Sequence, residues 1–168
     1  MPLTRRSFLQ ALFSGCLFPG LSAFAAPLTF TVGNVPPSSA VQRIVSAGAP
    51  ADMLLLAAAP EKLVGFSSFD FSHAALHILP DAISALPKLG RLAGRATTLS
   101  MEQLMALNPQ VIVDCGSVDN TWTSQARRVS ELTQIPWMLI DGVLSSSPAQ
   151  LQAVGALAGT EARTARQA

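Results

Sequence analysis

The chain has 168 residues, of which 49% are hydrophobic and only 12% charged, with 11 lysines and arginines against 10 acids and a formal charge of +1. No basic run accompanies that near-neutral balance, so neither nucleic acid nor an acidic membrane surface is an implied partner. Two cysteines, few aromatic residues and no tyrosine exclude a disulfide-rich scaffold.

At the N-terminus, Arg5-Arg6 precedes an uncharged, largely apolar run from Phe8 to Phe18, broken by Gly20 and followed by Ala23-Phe24-Ala25. The run is too short for the roughly 20 apolar residues that cross a bilayer. A positive start, a short apolar core and an A-x-A site together read as a secretory signal over residues 1–25. Thr4-Arg5-Arg6-Ser7-Phe8-Leu9-Gln10 resembles the twin-arginine (Tat) export motif of bacteria, which implies a periplasmic location. The alternative is an amphipathic helix of the fold. Phe13-Ser14-Gly15-Cys16 also resembles a lipoprotein processing site, with Phe13 in place of the usual leucine; processing there would leave a lipid anchor at Cys16. Cleavage after Ala25 removes both signal arginines, takes the formal charge to −1, and leaves Cys115 with no intramolecular disulfide partner.

Residues 26–41, with Pro27, Pro36, Pro37, Ser38 and Ser39, read as a loose leader, and the domain proper as 42–158. Arg43 to Ala47 is a β-rich run ended by Gly48, and Ala51 to Ala59 is a helix former stopped by Pro60. Leu63-Val64-Gly65-Phe66 reads as a second strand. Ser100 heads a capping box with Gln103 and opens a helix that ends near Asn108-Pro109. Val111-Ile112-Val113 is a continuous apolar strand of the kind buried on both faces. Thr121 to Gln134 reads as helix, Trp137 to Ile140 as strand, and Ser147-Pro148-Ala149-Gln150 as a second capping box opening a helix that runs to Gly159. Strands alternating with helices in this way predict an α/β, Rossmann-like lobe with a parallel sheet flanked by helices.

Such sheets bind ligands at the carboxyl ends of their strands. The loops there carry no dinucleotide fingerprint, phosphate loop, nucleophile elbow or H-E-x-x-H, so no cofactor and no catalytic machinery are called for. His73 and His77 are spaced i, i+4, the spacing of two metal ligands on one helix face; two histidines alone make no metal site, and a solvated segment is the alternative.

Several pieces together resemble the periplasmic substrate-binding proteins of ABC importers for iron–siderophore, haem and cobalamin uptake. "RIVSAGAPADMLLLAAAPEKLVGFSS" (43–68) looks like their opening strand, helix and short x-x-L-V-G strand. "LPKLGRLAGRATTLSMEQLMALNPQVIVDCG" (86–116) is similar to their Pro-x-x-Gly approach, L-E-x-L helix and N/K-P-D-x-I-x strand, with Gln110 in place of the usual acid. "IPWMLID" (135–141) resembles the strand that follows. The resemblance covers most of residues 43–168 and implies the N-terminal lobe of a normally two-lobed binding protein. Residues 159–168, "GTEARTARQA" from Gly159, look like the start of an inter-lobe helix, so the sequence carries one lobe and half of a cleft. A fragment, a frameshifted gene and a lobe that works alone all fit that pattern.

Arg91 and Arg95 flank Leu92-Ala93-Gly94, with Lys88 nearby. A guanidinium fork pairs bidentately with carboxylate or catecholate oxygens, which siderophores and haem propionates carry. The family holds an anion with an arginine in the corresponding loop, and Arg91 is the better aligned; solvation or carbonyl capping is the alternative for both. Trp122, at a loop-to-helix junction, either stacks on a flat ligand or packs beneath its helix. Asn120 is a ligand contact or, like Thr121, a helix cap. Phe69 and Phe71 form an apolar rim or a packed loop. Trp137 reads as core and Cys115 as a small buried residue rather than a nucleophile. The predicted partners are therefore a ferric siderophore, haem or corrinoid and an ABC permease in the inner membrane, with no nucleic acid. The competing readings are an exported Rossmann-like enzyme using Asp114, Asp119 or Cys115, and a metal-ion binder using His73 and His77.

Overall fold

Three apolar runs dictate the sheet, and side-chain alternation dictates what covers it. The computed structural model describes residues 28–71, 79–94 and 97–167. In chain order these form β1 (Thr29–Val32), β2 (Ile44–Ser46), α1 (Ala49–Ala58), α2 (Asp81–Ser84), α3 (Met101–Ala106), β3 (Val111–Gly116), α4 (Asn120–Thr133), β4 (Trp137–Asp141), α5 (Ser147–Ala158) and α6 (Glu161–Thr164). The four strands lie in the order β1-β4-β3-β2, with β2, β3 and β4 parallel. Successive residues of a strand face opposite sides of its sheet. Val111, Val113 and Cys115 of β3 therefore join Ile44, Ile140, Leu55 of α1 and Val154 of α5 in one core. Ile112 points the other way, with Val45, Trp137, Leu139, Leu104 of α3 and Ala126 of α4. The result is the expected α/β lobe with helices on both faces.

Two strands depart from expectation. Part of the segment read as a leader is sheet: β1 pairs antiparallel with β4, Thr29 opposite Ile140 and Val32 opposite Trp137. Its Thr-Phe-Thr-Val run alternates, and Phe30 and Val32 pack on the α4-side core while Arg127 lies 4.9 Å over the Phe30 ring. The flanking prolines masked this signal. Conversely, Leu63 to Phe66 is extended beside β2 but makes only isolated bridges, to Ile44 and Lys88. The Phe66 N–H donates to the Pro87 carbonyl at 2.9 Å, but Pro87 has no N–H to continue a ladder. A Cβ at Gly65 would lie 2.6 Å from that same carbonyl oxygen, so only glycine fits.

The caps divide in the same way. Ser100 and Gln103 form the predicted capping box with both bonds at 3.1 Å. The box expected at Ser147 and Gln150 does not form: the cap is Ser146, which makes no side-chain cap bond. Gln150 Nε2 instead donates to the carbonyls of Asp141 and Val143 at 2.7 and 2.8 Å, tying the β4–α5 loop to its helix. Asp119 rather than Asn120 or Thr121 caps α4, its Oδ1 accepting from the Thr121 and Trp122 N–H groups at 2.8 and 3.1 Å.

At the opposite end, cations satisfy helix C-terminal carbonyls. Lys62 Nζ donates to Ala158 and Val41, and Arg163 Nη1 to Ala58 and to Glu61. α5 ends at Gly159, in the left-handed region at φ 68°. The residues read as the start of an inter-lobe helix contain the single turn α6, whose Thr164 seats directly on Gly155 of α5. A Cβ on Gly155 would overlap the Thr164 hydroxyl. Gly155→Ala should therefore cost about 1–3 kcal/mol of stability in urea unfolding, and Thr164→Ala in the same chain should recover most of it. Equal loss in the single and double variants would place the strain elsewhere.

Candidate functional site

Because β2, β3 and β4 are parallel, their carboxyl ends finish together, at Ala47-Gly48, Gly116 and Asp141-Gly142. Helix N-termini and loops gather on this edge. The backbone is drawn in tightly there. The Gly142 N–H donates to the Gly116 carbonyl at 2.8 Å, and a Cβ at Gly116 would stand 3.0 Å from the Trp122 ring.

The loop bearing Arg91 is hooked to the end of β2. The Leu92 and Ala93 N–H groups both donate to the Ala47 carbonyl at 3.0 Å, and Thr98 closes the loop on Arg91 through its N–H and its hydroxyl, each at 2.9 Å. Gly90 and Gly94 make the turns at φ 105° and 88°. Leu92 and Ala93 are buried, and Arg91 between them and the turn is exposed. Arg95 lies outside the described residues, as do His73, His77, Cys16 and the whole signal segment. Lys88 is exposed and bridges Phe66 through its backbone.

Trp122 is half-buried and packs with the α4-side core over Gly116, so the packed arrangement of its two readings is present. Asn120 is exposed in the first turn of α4 and leaves the capping to Asp119. Phe71 is half-buried, meeting the buried Phe66 edge-on at 4.9 Å and stacking on Phe69 at 5.7 Å. Trp137 is core, as expected. Arg91, Phe71, Trp122 and Asn120 thus belong to loops and helix starts of one sheet edge, although they lie on different sides of the β3 end.

One feature of this edge escaped the sequence reading. Between the first turns of α1 and α5 opens a basin of about 290 Å³, lined chiefly by Pro50, Met53, Leu54, Cys115, Leu144 and Leu151. Met53 is 52% exposed and Leu144 86%, unusual for large apolar side chains at the mouth of a concavity. The signal in the sequence was Met53 and Leu144 themselves, apolar residues next to helix starts. Nothing local shows that two distant helices would face them toward each other.

Two ionisable groups end β3 here, Cys115 on the basin's side of the sheet and Asp114 on the opposite side. Asp114 is buried at the end of β3, and desolvation pushes its carboxyl up from the ordinary 3.8 to about 6, opposed only by the Cys115 N–H bond to Oδ1 at 2.9 Å. Burial, with Asp114 and Asp141 nearby, pushes the Cys115 thiol up to about 11, so it is protonated and a poor nucleophile at neutral pH. Among the described residues no group of three or more histidine, cysteine or acidic side chains could hold a metal ion, and no helix is long and apolar enough to cross a membrane.

No family model and no curated protein matches the sequence. Solved structures do match. An ABC transporter solute-binding protein from Sulfurospirillum deleyianum superposes with TM-score 0.60 and 20% identity over 74% of this chain and 39% of its own. The TroA-like periplasmic binding protein FepB from Veillonella parvula gives 0.55 and 22%, over 78% and 40%. A periplasmic haem-binding protein from Pseudomonas aeruginosa gives 0.51 and 22%, over 75% and 41%. The fold is that of one lobe of these solute-binding proteins. The chain spans about two fifths of the length of each.

Asp114 gives the lobe a pH signature. A carboxyl whose pKa is raised on folding binds its proton more tightly in the native state, so the stability it contributes is present below pH 3.8 and is lost as pH rises through about 6. Relative to Asp114→Asn, the wild type should lose about 3 kcal/mol between pH 3.8 and 6.5 in denaturant titrations, with no further change from this group above that. Parallel pH profiles for the two proteins would show that Asp114 is not desolvated.

Proposed function

We propose that this chain is the ligand-capturing lobe of a periplasmic substrate-binding protein that takes an iron chelate (siderophore or haem) or a corrinoid and delivers it to an ABC permease in the inner membrane. The observation that carries the reading is the sheet's carboxyl edge. On a solute-binding fold, this edge presents an exposed arginine on a pinned loop, an aromatic pair and an apolar basin, and large organic chelates offer the matching anionic and apolar groups. The enzyme reading draws less support from the same residues. Asp119 is committed to capping α4, the Cys115 thiol is protonated, and Asp114 is buried beneath the edge. The metal-ion reading needs His73 and His77, which lie outside the described residues.

Titration of the full chain with haem and with a ferric catecholate should give saturable binding without turnover, and a Trp122-dependent change in emission. Arg91→Ala should weaken an anionic ligand by about 1.5–3 kcal/mol, the usual worth of a charge-assisted hydrogen bond. An unchanged dissociation constant would remove Arg91 from the site.

The periplasmic location follows from residues 1–25 acting as a twin-arginine signal. Replacing Arg5 and Arg6 together by lysine should leave uncleaved precursor in the cytoplasm of a bacterial host, while the wild type appears in the periplasm beginning at Ala26. A lipidated species beginning at Cys16 would assign the anchor instead.

A further inference from the structure

Asp52 is fully buried in the first turn of α1, a position where a carboxyl is costly unless its oxygens are satisfied. Its partners come from a single place. Oδ1 accepts from the Ser67 N–H at 2.9 Å, while Oδ2 accepts from the same N–H at 3.1 Å, from the Ser67 hydroxyl at 2.9 Å and from the Ser68 N–H at 3.1 Å. An acid in the first turn of a helix ordinarily serves that helix's own N–H groups. Here the cap of α1 is Gly48, which has no side chain to cap with, and the Asp52 carboxyl is nonetheless aimed across at the loop.

That loop connects to the other parts of the edge. Ser67 follows Phe66, whose ring carries the Phe71 and Phe69 rim. The Phe66 carbonyl accepts from the Leu89 N–H at 2.7 Å, and Leu89 leads directly into Gly90 and Arg91. On the other side, the Asp52 N–H donates to the Gly48 carbonyl at 3.0 Å, closing the turn whose Pro50 and Met53 line the basin. We infer that Asp52 is a positioning residue that locks α1, the phenylalanine rim and the approach to Arg91 into one preorganised unit for a ligand carrying an aryl or other flat apolar group beside an anionic one. The inference rests on the binding reading above.

Asparagine at position 52 keeps the shape but turns one acceptor into a donor facing the Ser67–Ser68 N–H groups. In the full chain, Asp52→Asn should speed hydrogen exchange at the Ser67 and Ser68 amides by about tenfold or more, with β3 amides unchanged. Ser67→Ala, which removes only the hydroxyl bond, should fall between the two. With haem and a ferric catecholate as probes, Asp52→Asn should weaken binding several-fold, and adding it to Phe71→Ala should cost clearly less than it does alone, because the two share the rim and Asp52 keeps only its hold on the approach to Arg91. Unchanged exchange at Ser67 and Ser68 overturns the inference whatever the probes do. So do multiplicative losses in the double variant. Faster exchange in a chain whose wild type binds neither probe overturns the rim's role together with the binding reading.

Discussion

Burial of β3 on both faces is the constraint on which the lobe depends. A strand reading Val-Ile-Val-Asp-Cys presents apolar groups alternately to two sides, and neither side can be left to water. β2 and β4 must flank it to satisfy its backbone, and helices must cover both surfaces: α1 and α5 on one, α3 and α4 on the other. With parallel neighbours the connections must cross over, which is what the helices are for. The strand ends then arrive at a common edge, and the described candidate ligand residues are by-products of where those crossovers begin.

That edge is held by close backbone approach and by the buried Asp52 carboxyl. Gly116 and Gly142 bring two strand ends close enough for a carbonyl–amide bond, and the Trp122 ring closes over Gly116. Gly65 lets the extended segment beside β2 reach Pro87. Asp52 and Asp114 show two outcomes for a carboxyl in such a place. The first accepts a full set of donors from Ser67 and Ser68, whereas the second has one backbone N–H and a pKa displaced by desolvation. The difference follows from their neighbours: a polar loop in one case, a helix start and the Cys115 backbone in the other.

Much of the frame was legible beforehand. The strands at Ile44, Val111 and Trp137, the helices between them and the Ser100 capping box are written in local periodicity and in cap chemistry separated by three residues. The misreadings had local causes as well. Pro27, Pro36 and Pro37 outweighed the alternating Thr29–Val32 run, and Ser147 with Gln150 matched a cap pattern whose glutamine found better acceptors in Asp141 and Val143. Of the site, Arg91 and Phe71 were recognisable by residue type and loop position, and Trp122 by its junction. The basin and the Asp52 clamp were not.

The α/β alternation, the helix-covered sheet and the candidate edge are written in the residue order, because they follow from side-chain polarity repeating along the chain and from backbone preferences of single residues. That β1 joins β4, that Met53 and Leu144 share a basin, and that Asp52 bonds Ser67 while Asp114 is left nearly bare arise from packing alone. Those outcomes depend on which distant surfaces come together when water is expelled, and no local pattern records the depth at which a given carboxyl will lie.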